Sequence, residues 1–246
     1  MSSIANLQLT LSLLLSIMPL LSSSSQLRQD PFRIEPYIID YRNGTILRVF
    51  CIASPFSKND TIYMGRLAAQ ARIIALSLDY TLYLDSFVLD SYDDAWAFLK
   101  WVVSHKFEAY LPRFDPWLAN FGDLDRVFMG GDSAGDNIAH RMAIKAGQLP
   151  ESVRLAGAFL TMSVDDSFIN SDGPGAPSPC GLGCGRMMVY VAEDDELHER
   201  DVKDSGWPDQ VELVEAEGEK HVFHIQNPHS KATDNLMKDV AEFLNA

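Results

Sequence analysis

Asp125-Arg-Val-Phe-Met-Gly-Gly-Asp-Ser-Ala-Gly-Asp-Asn-Ile-Ala-His140 joins a short apolar run, a Gly-Asp-Ser-Ala-Gly pentapeptide and a helical pattern without a break. Arg126 to Gly130 reads as a buried strand. Ile138, Ala139, Met142 and Ala143 recur at helical spacing until Gly147, a natural C-terminal stop. Ser133 lies between the two. A strand that bends sharply into a helix strains the serine backbone and brings neighbouring chain close, so Gly131 and Gly135 are needed where a Cβ would clash. The stretch reads as a nucleophile elbow that lifts the Ser133 hydroxyl clear of a sheet. Its geometry aims the Ala134 backbone N–H, together with the helix N-terminus, at any negative oxygen forming beside Ser133.

Upstream of the elbow, the pattern from Pro31 to Val49 is short and extended, and Phe50 to Ala53 reads as a strand. A helix is expected through Ile62 to Ala71. Arg72 to Asp79 is a stronger strand, because Ile73-Ile-Ala-Leu-Ser-Leu78 is nearly all apolar, as a parallel strand covered on both faces must be. Asp90 to Lys106 is an amphipathic helix with Trp96, Phe98, Leu99, Trp101 and Val102 available for its buried side. Downstream, Val153 to Thr161 and Met187 to Ala192 read as strands separated by a Gly-, Pro-, Ser- and Asp-rich loop from Ser163 to Gly185. Gln210 to Glu215 is a further strand and Ala232 to Leu244 a closing helix. Strands alternating with helices predict an α/β fold with a mostly parallel sheet and helices on both faces, without internal repeat or second domain.

The chain has 246 residues and 47% hydrophobic content, enough for one sizeable core. Its net charge of −14 opposes non-specific binding to nucleic acid and to anionic membranes. Cys51, Cys180 and Cys184 cannot all pair within one chain and show no zinc-ligand spacing with the six histidines; they read as reduced thiols, with a Cys180 to Cys184 bridge as the alternative. Residues 1–27 carry no charged side chain, and Leu7 to Leu21 resembles a signal-peptide core followed by small residues at Ser22 to Ser25. This segment is either a targeting signal or a disordered leader, too short and polar for a membrane span. It would send the protein to the secretory pathway as a signal, and leave it cytoplasmic otherwise. Residues 28–246 form the single domain. Asn43-Gly-Thr45 and Asn59-Asp-Thr61 are glycosylation sequons that matter only in a secreted chain.

An acyl-transfer serine needs a base to take its proton and an acid to orient that base. Asp195 follows the Met187 to Ala192 strand in Val191-Ala-Glu-Asp-Asp-Glu-Leu197, and His221 follows the Gln210 to Glu215 strand in Glu217-Gly-Glu-Lys-His-Val-Phe-His224. Strand C-terminal ends are where an open α/β sheet places its site, and Ser, Asp, His is the order used by α/β-hydrolases. His221 and His224 also stand at i, i+3, a spacing that suits a metal pair, but no third ligand is evident, so no metal is expected.

With these residues in hand, the chain resembles the plant carboxylesterase family in the hormone-sensitive-lipase-like branch of α/β-hydrolases. The resemblance is carried by Ala71 to Tyr80, Ser91 to Trp101, Phe121 to Gly147, Leu182 to Leu197 and Glu217 to Pro228, blocks distributed across residues 60–246. It implies hydrolysis of small carboxylic esters without a cofactor, with Ser133 as nucleophile, Asp195 as acid and His221 as base. Gibberellin receptors share the fold but typically lack the catalytic histidine, so His221 favours the enzyme. The family's His-Gly-Gly-Gly segment before Phe-Cys-Ile is absent, since Phe50-Cys-Ile52 follows Ile46-Leu-Arg-Val49 directly. The preceding strands are expected to be missing, leaving an unfamiliar sheet edge. The loop Thr81 to Asp90 lacks the family's Arg, Pro, Glu and His, and shortenings are expected between Val164 and Phe168, at the lid, and between His198 and Trp207. Two functions follow as expectations: a weak serine esterase with an incomplete oxyanion hole, or an inactive remnant that binds a small ester or apolar ligand. The Gly-rich stretch Gly173 to Gly185 is the candidate replacement source of N–H donors.

Overall fold

The computed structural model describes residues 46–51, 58–81, 88–106, 115–161, 181–195 and 210–246. The 1–27 leader, the Asn43 sequon, Cys180, the lid segment 164–168 and the segment 198–207 lie outside them. Six strands form one sheet: β1 (Ile46–Cys51), β2 (Ile73–Leu78), β3 (Phe128–Asp132), β4 (Gly157–Thr161), β5 (Arg186–Ala192) and β6 (Gln210–Ala216). Their order is β2-β1-β3-β4-β5-β6, and every pairing is parallel. The order reverses after β2, because the chain crosses back over β1 to place β3 on its other side. That reversal is the topological switch point at which open α/β sheets build sites.

The helices are α1 (Lys58–Ala71), α2 (Val88–Ser104), α3 (Pro116–Phe121), α4 (Ala134–Gln148), α5 (Phe223–Gln226) and α6 (Lys231–Asn245). Two-residue alternation along the strands divides them between faces. Ile73, Ala75, Phe128, Phe159, Met188 and Tyr190 point to one face and pack with Tyr63, Met64 and Leu67 of α1 and Leu236, Met237 and Val240 of α6. Helices α2 and α4 pack together, and α4 lies against β1, β3 and β4 on the opposite face. Burial of these apolar side chains holds the layers together, at about 1.5–3 kcal/mol for each large one removed from water. Arg66 ties α1 to α6 through Asp234 at 2.6 Å and the Pro228 carbonyl.

Several boundaries move from those expected. The first strand starts at Ile46, earlier than Phe50, because all six of its residues pair with β2. Strand β3 runs on to Asp132, and β4 starts at Gly157, with Leu155 making only an isolated bridge to Cys184. Helix α1 begins at Lys58, so the Asn59 sequon falls in its first turn. Gly147 does not end α4, which runs to Gln148. It is glycine because the Gly181–Gly183 backbone crosses it, and a Cβ there would collide with the Gly181 carbonyl oxygen. Helix α3 was not anticipated. Every residue of β2 is buried although it is an edge strand among the described residues. Cys184 is a buried thiol. Among the described residues no helix is long and apolar enough to cross a membrane.

Candidate active site

Strand β3 ends at Asp132 and α4 begins at Ala134, so Ser133 alone makes the turn. Its φ of 54° and ψ of −117° lie where a side chain costs about 1–3 kcal/mol, a strain that persists only when the surroundings over-determine it. They do so here. The Ser133 N–H donates to the Thr161 carbonyl at 3.1 Å, and the Ser133 carbonyl accepts from Asn137 N–H at 3.3 Å. The Thr161 hydroxyl donates to the Gly131 carbonyl at 2.7 Å. A Cβ on Gly131 would run into the Gly135 carbonyl and lie 2.6 Å from the Asp136 nitrogen, which is why the turn needs glycine at that position. The Ala134 residue is exposed, and its N–H has no acceptor among the described residues. The Ser133 side chain makes no capping hydrogen bond to α4, which leaves the Ala134 N–H and the positive end of the helix to serve an anion beside Ser133.

Two loops at the same end of the sheet carry the other polar groups. Glu193 N–H donates to Ala216 O at 3.0 Å, Asp194 N–H to Glu219 O at 2.9 Å, and Gly218 N–H to a Glu193 carboxylate oxygen at 2.8 Å. These bonds stitch the loop after β5 to the loop after β6. The Asp195 N–H closes a turn on Ala192 O at 3.2 Å. Between the loops, His221 Nδ1 lies 2.7 Å from Asp195 Oδ2, and His221 Nε2 lies 2.9 Å from Ser133 Oγ. The Asp195 side chain is 2% exposed and that of His221 26%, so the acid is shielded from water while the imidazole remains reachable. A carboxylate only accepts, so Nδ1 carries the proton and Nε2 turns its lone pair to the serine hydroxyl. The sequence-predicted Ser133, Asp195 and His221, drawn from three separate loops, are thereby brought into one hydrogen-bonded chain.

A second polar group lies behind this chain, and the sequence did not single it out. Asp132, Thr161 and Tyr190 are register partners across β3, β4 and β5 and share the face covered by α1. Asp60 and Tyr63 of α1 and His224 of α5 are buried above them. Burial, and then the nearby Asp60 charge, pushes the Asp132 carboxyl up to about 7. Burial, and then the Asp239 and Glu219 charges, pushes the Tyr190 hydroxyl up to about 12. Burial and the charge on Asp132 push the Tyr63 hydroxyl far above its ordinary range. His224 goes the other way, down to about 3, through burial and then His221, and its ring packs 4.8 Å from that of Tyr63. This interior position separates His224 from the Ser133-facing His221. No group of three metal-binding side chains is found among the described residues.

The Gly-rich candidate for extra N–H donors fails in its described part. Gly183 N–H is spent on Ala143 O at 2.8 Å, and Gly181 to Gly183 lie against Gly147. That contact falls near the C-terminal end of α4, roughly 15–20 Å along the helix from Ser133 at 1.5 Å per residue. The rest of Gly173 to Gly185 lies outside the described residues.

Residues 49–177 match the model of a family described as alpha/beta hydrolase fold. The chain is 32% identical to a 2-hydroxyisoflavanone dehydratase of Glycyrrhiza echinata, over 85% of this chain and 76% of that protein. It is 30% identical to probable carboxylesterase 7 of Arabidopsis thaliana, over 85% of this chain and 78% of that protein. Among solved structures, a thermostable esterase from Pseudomonas putida superposes with a TM-score of 0.65 at 17% identity, over 87% of this chain and 83% of that one. The parallel sheet, the strand-to-helix turn at Ser133 and these matches together place the chain in the α/β-hydrolase fold family, among its plant carboxylesterase-like members of the hormone-sensitive-lipase-like branch.

Proposed function

We propose that the protein is a serine hydrolase of small carboxylic esters working through an acyl-enzyme on Ser133. The observation that carries this reading is the chain from Asp195 through His221 to Ser133, with separations of 2.7 and 2.9 Å. Ser133 Oγ attacks the ester carbonyl carbon as its proton passes to His221 Nε2, and Asp195 stabilises the imidazolium that forms. The carbonyl oxygen, now an anion, is met by the Ala134 N–H and the N-terminus of α4. Collapse breaks the bond to the alcohol oxygen, which leaves with the proton from Nε2. Water, deprotonated by the same nitrogen, then splits the acyl-enzyme and releases the acid. No step requires a cofactor.

The oxyanion site sets the rate. Removing one donor of an oxyanion hole costs about 10²–10³ in rate. The His-Gly-Gly-Gly segment that supplies donors in the family is absent before Phe50, so turnover is proposed to be slow. The same absence favours a second reading, in which the site binds a small ester or apolar ligand without converting it. Hydrolysis of a short-chain p-nitrophenyl ester by folded protein, run beside Ser133→Ala, separates the two. Slow turnover that vanishes in the variant supports the esterase; equal background rates with saturable ligand binding support the binder.

A further inference from the structure

Thr161 is the last residue of β4, fully buried, and the register partner of Asp132. Its hydroxyl donates to the carbonyl of Gly131, and its own carbonyl accepts the N–H of Ser133. One residue thus grips the chain on both sides of Asp132, directly before the strained serine. The backbone half of this grip belongs to any parallel ladder. The hydroxyl half depends on the side chain, and it holds the strand at the point where the φ of Ser133 turns to 54°. An apolar β-branched side chain would fill the same volume, so packing alone does not call for threonine here.

Building on the esterase reading, we propose that Thr161 is a positioning residue for the nucleophile: its hydroxyl, anchored on the Gly131 carbonyl, fixes the turn so that Ser133 Oγ stays within hydrogen-bonding reach of His221 Nε2. Thr161 touches no reacting atom. Its effect is on the population of the productive serine geometry, and small displacements of a reacting group cost rate steeply.

The test compares Thr161→Val, which keeps the branched shape and loses the hydroxyl, with Thr161→Ser, which keeps the hydroxyl and loses the methyl. Expected for Val is a kcat lower by about tenfold at unchanged KM, with Ser returning to within about threefold of wild type. Val that keeps wild-type kcat, or Ser that turns over no faster than Val, overturns the proposal, since a purely structural role would make the missing methyl the greater loss. Crystal structures supply a readout that does not need turnover. The Ser133 Oγ to His221 Nε2 separation should lengthen in Val and be kept in Ser, and an unchanged separation in a folded Val variant contradicts the proposal even if the wild-type protein proves to be no esterase. Absence of Ser133-dependent turnover in wild type, by contrast, counts against the esterase reading alone.

Discussion

Asp132 and His224 pull the stability of the fold in opposite directions as pH changes. Folded Asp132 holds its proton up to about pH 7, against an ordinary value of 3.8. Between those values the folded state binds more proton than the unfolded chain. Its contribution is therefore complete below about pH 4 and drains by about 1.4 kcal/mol per pH unit towards 7. His224, depressed from 6.5 to about 3, contributes fully above 6.5 and loses that contribution as pH falls towards 3. From about pH 4 to 6.5 the two slopes offset each other. Asp132→Asn leaves His224 alone, so stability measured by urea unfolding should climb with pH across that window, more steeply than in wild type; parallel profiles would contradict the shifted Asp132. The sequence revealed Ser133 because glycines and helical spacing frame it. It hid the role of Asp132, whose surroundings come from Asp60 and Tyr63 on a helix far upstream. Thr161 left one trace, a polar residue closing the otherwise apolar Gly-Ala-Phe-Leu-Thr strand.

At the scale of elements, two helical glycines should respond oppositely to alanine. In Gly147→Ala the new methyl meets the Gly181 carbonyl and comes within 2.9 Å of the Gly183 nitrogen, so a loss of about 1–3 kcal/mol is expected from overpacking. In Gly65→Ala, inside α1, nothing lies within 4 Å, and a gain of about 0.5–1 kcal/mol is expected from helix propensity. Denaturant midpoints of the two variants check both signs; equal shifts would refute the crossing at Gly147. Read as sequence, Gly147 resembled a helix stop, because local pattern carries no record of a distant segment crossing the helix. Strand β2 and helix α2 were legible, since a continuous apolar run and a strong amphipathic pattern report burial directly. Helix α3 is six residues long, too short for hydrophobic periodicity to mark it. Its signal was present in Asp115-Pro116: proline suits a first helical position, and Asp115 Oδ1 accepts the Leu118 N–H at 2.8 Å.

For the molecule as a whole, the candidate site is assembled at the sheet end where β3, β5 and β6 deliver their following turns. Chain order made the Ser, Asp and His components legible, while their convergence depended on three-dimensional stitching such as Asp194 N–H to Glu219 O. Cys51, the last residue of β1, pairs with Gly131 beside the elbow. Inserting His-Gly-Gly-Gly directly after Cys51, where β1 ends, would place new backbone donors beside the elbow. In protein that still folds, kcat/KM for a short ester should rise by about 10²-fold or more. A folded insertion variant with unchanged kcat/KM would mean that the missing segment does not limit the rate. Activation of Ser133 as a nucleophile is read out by exposing folded protein to an active-site-directed fluorophosphonate and locating the adduct by peptide mass spectrometry. One adduct is expected, on Ser133, forming far more slowly in His221→Ala and not at all in protein unfolded beforehand. An unlabelled Ser133 in folded wild-type protein, or labelling that is equally fast without His221, would contradict that activation.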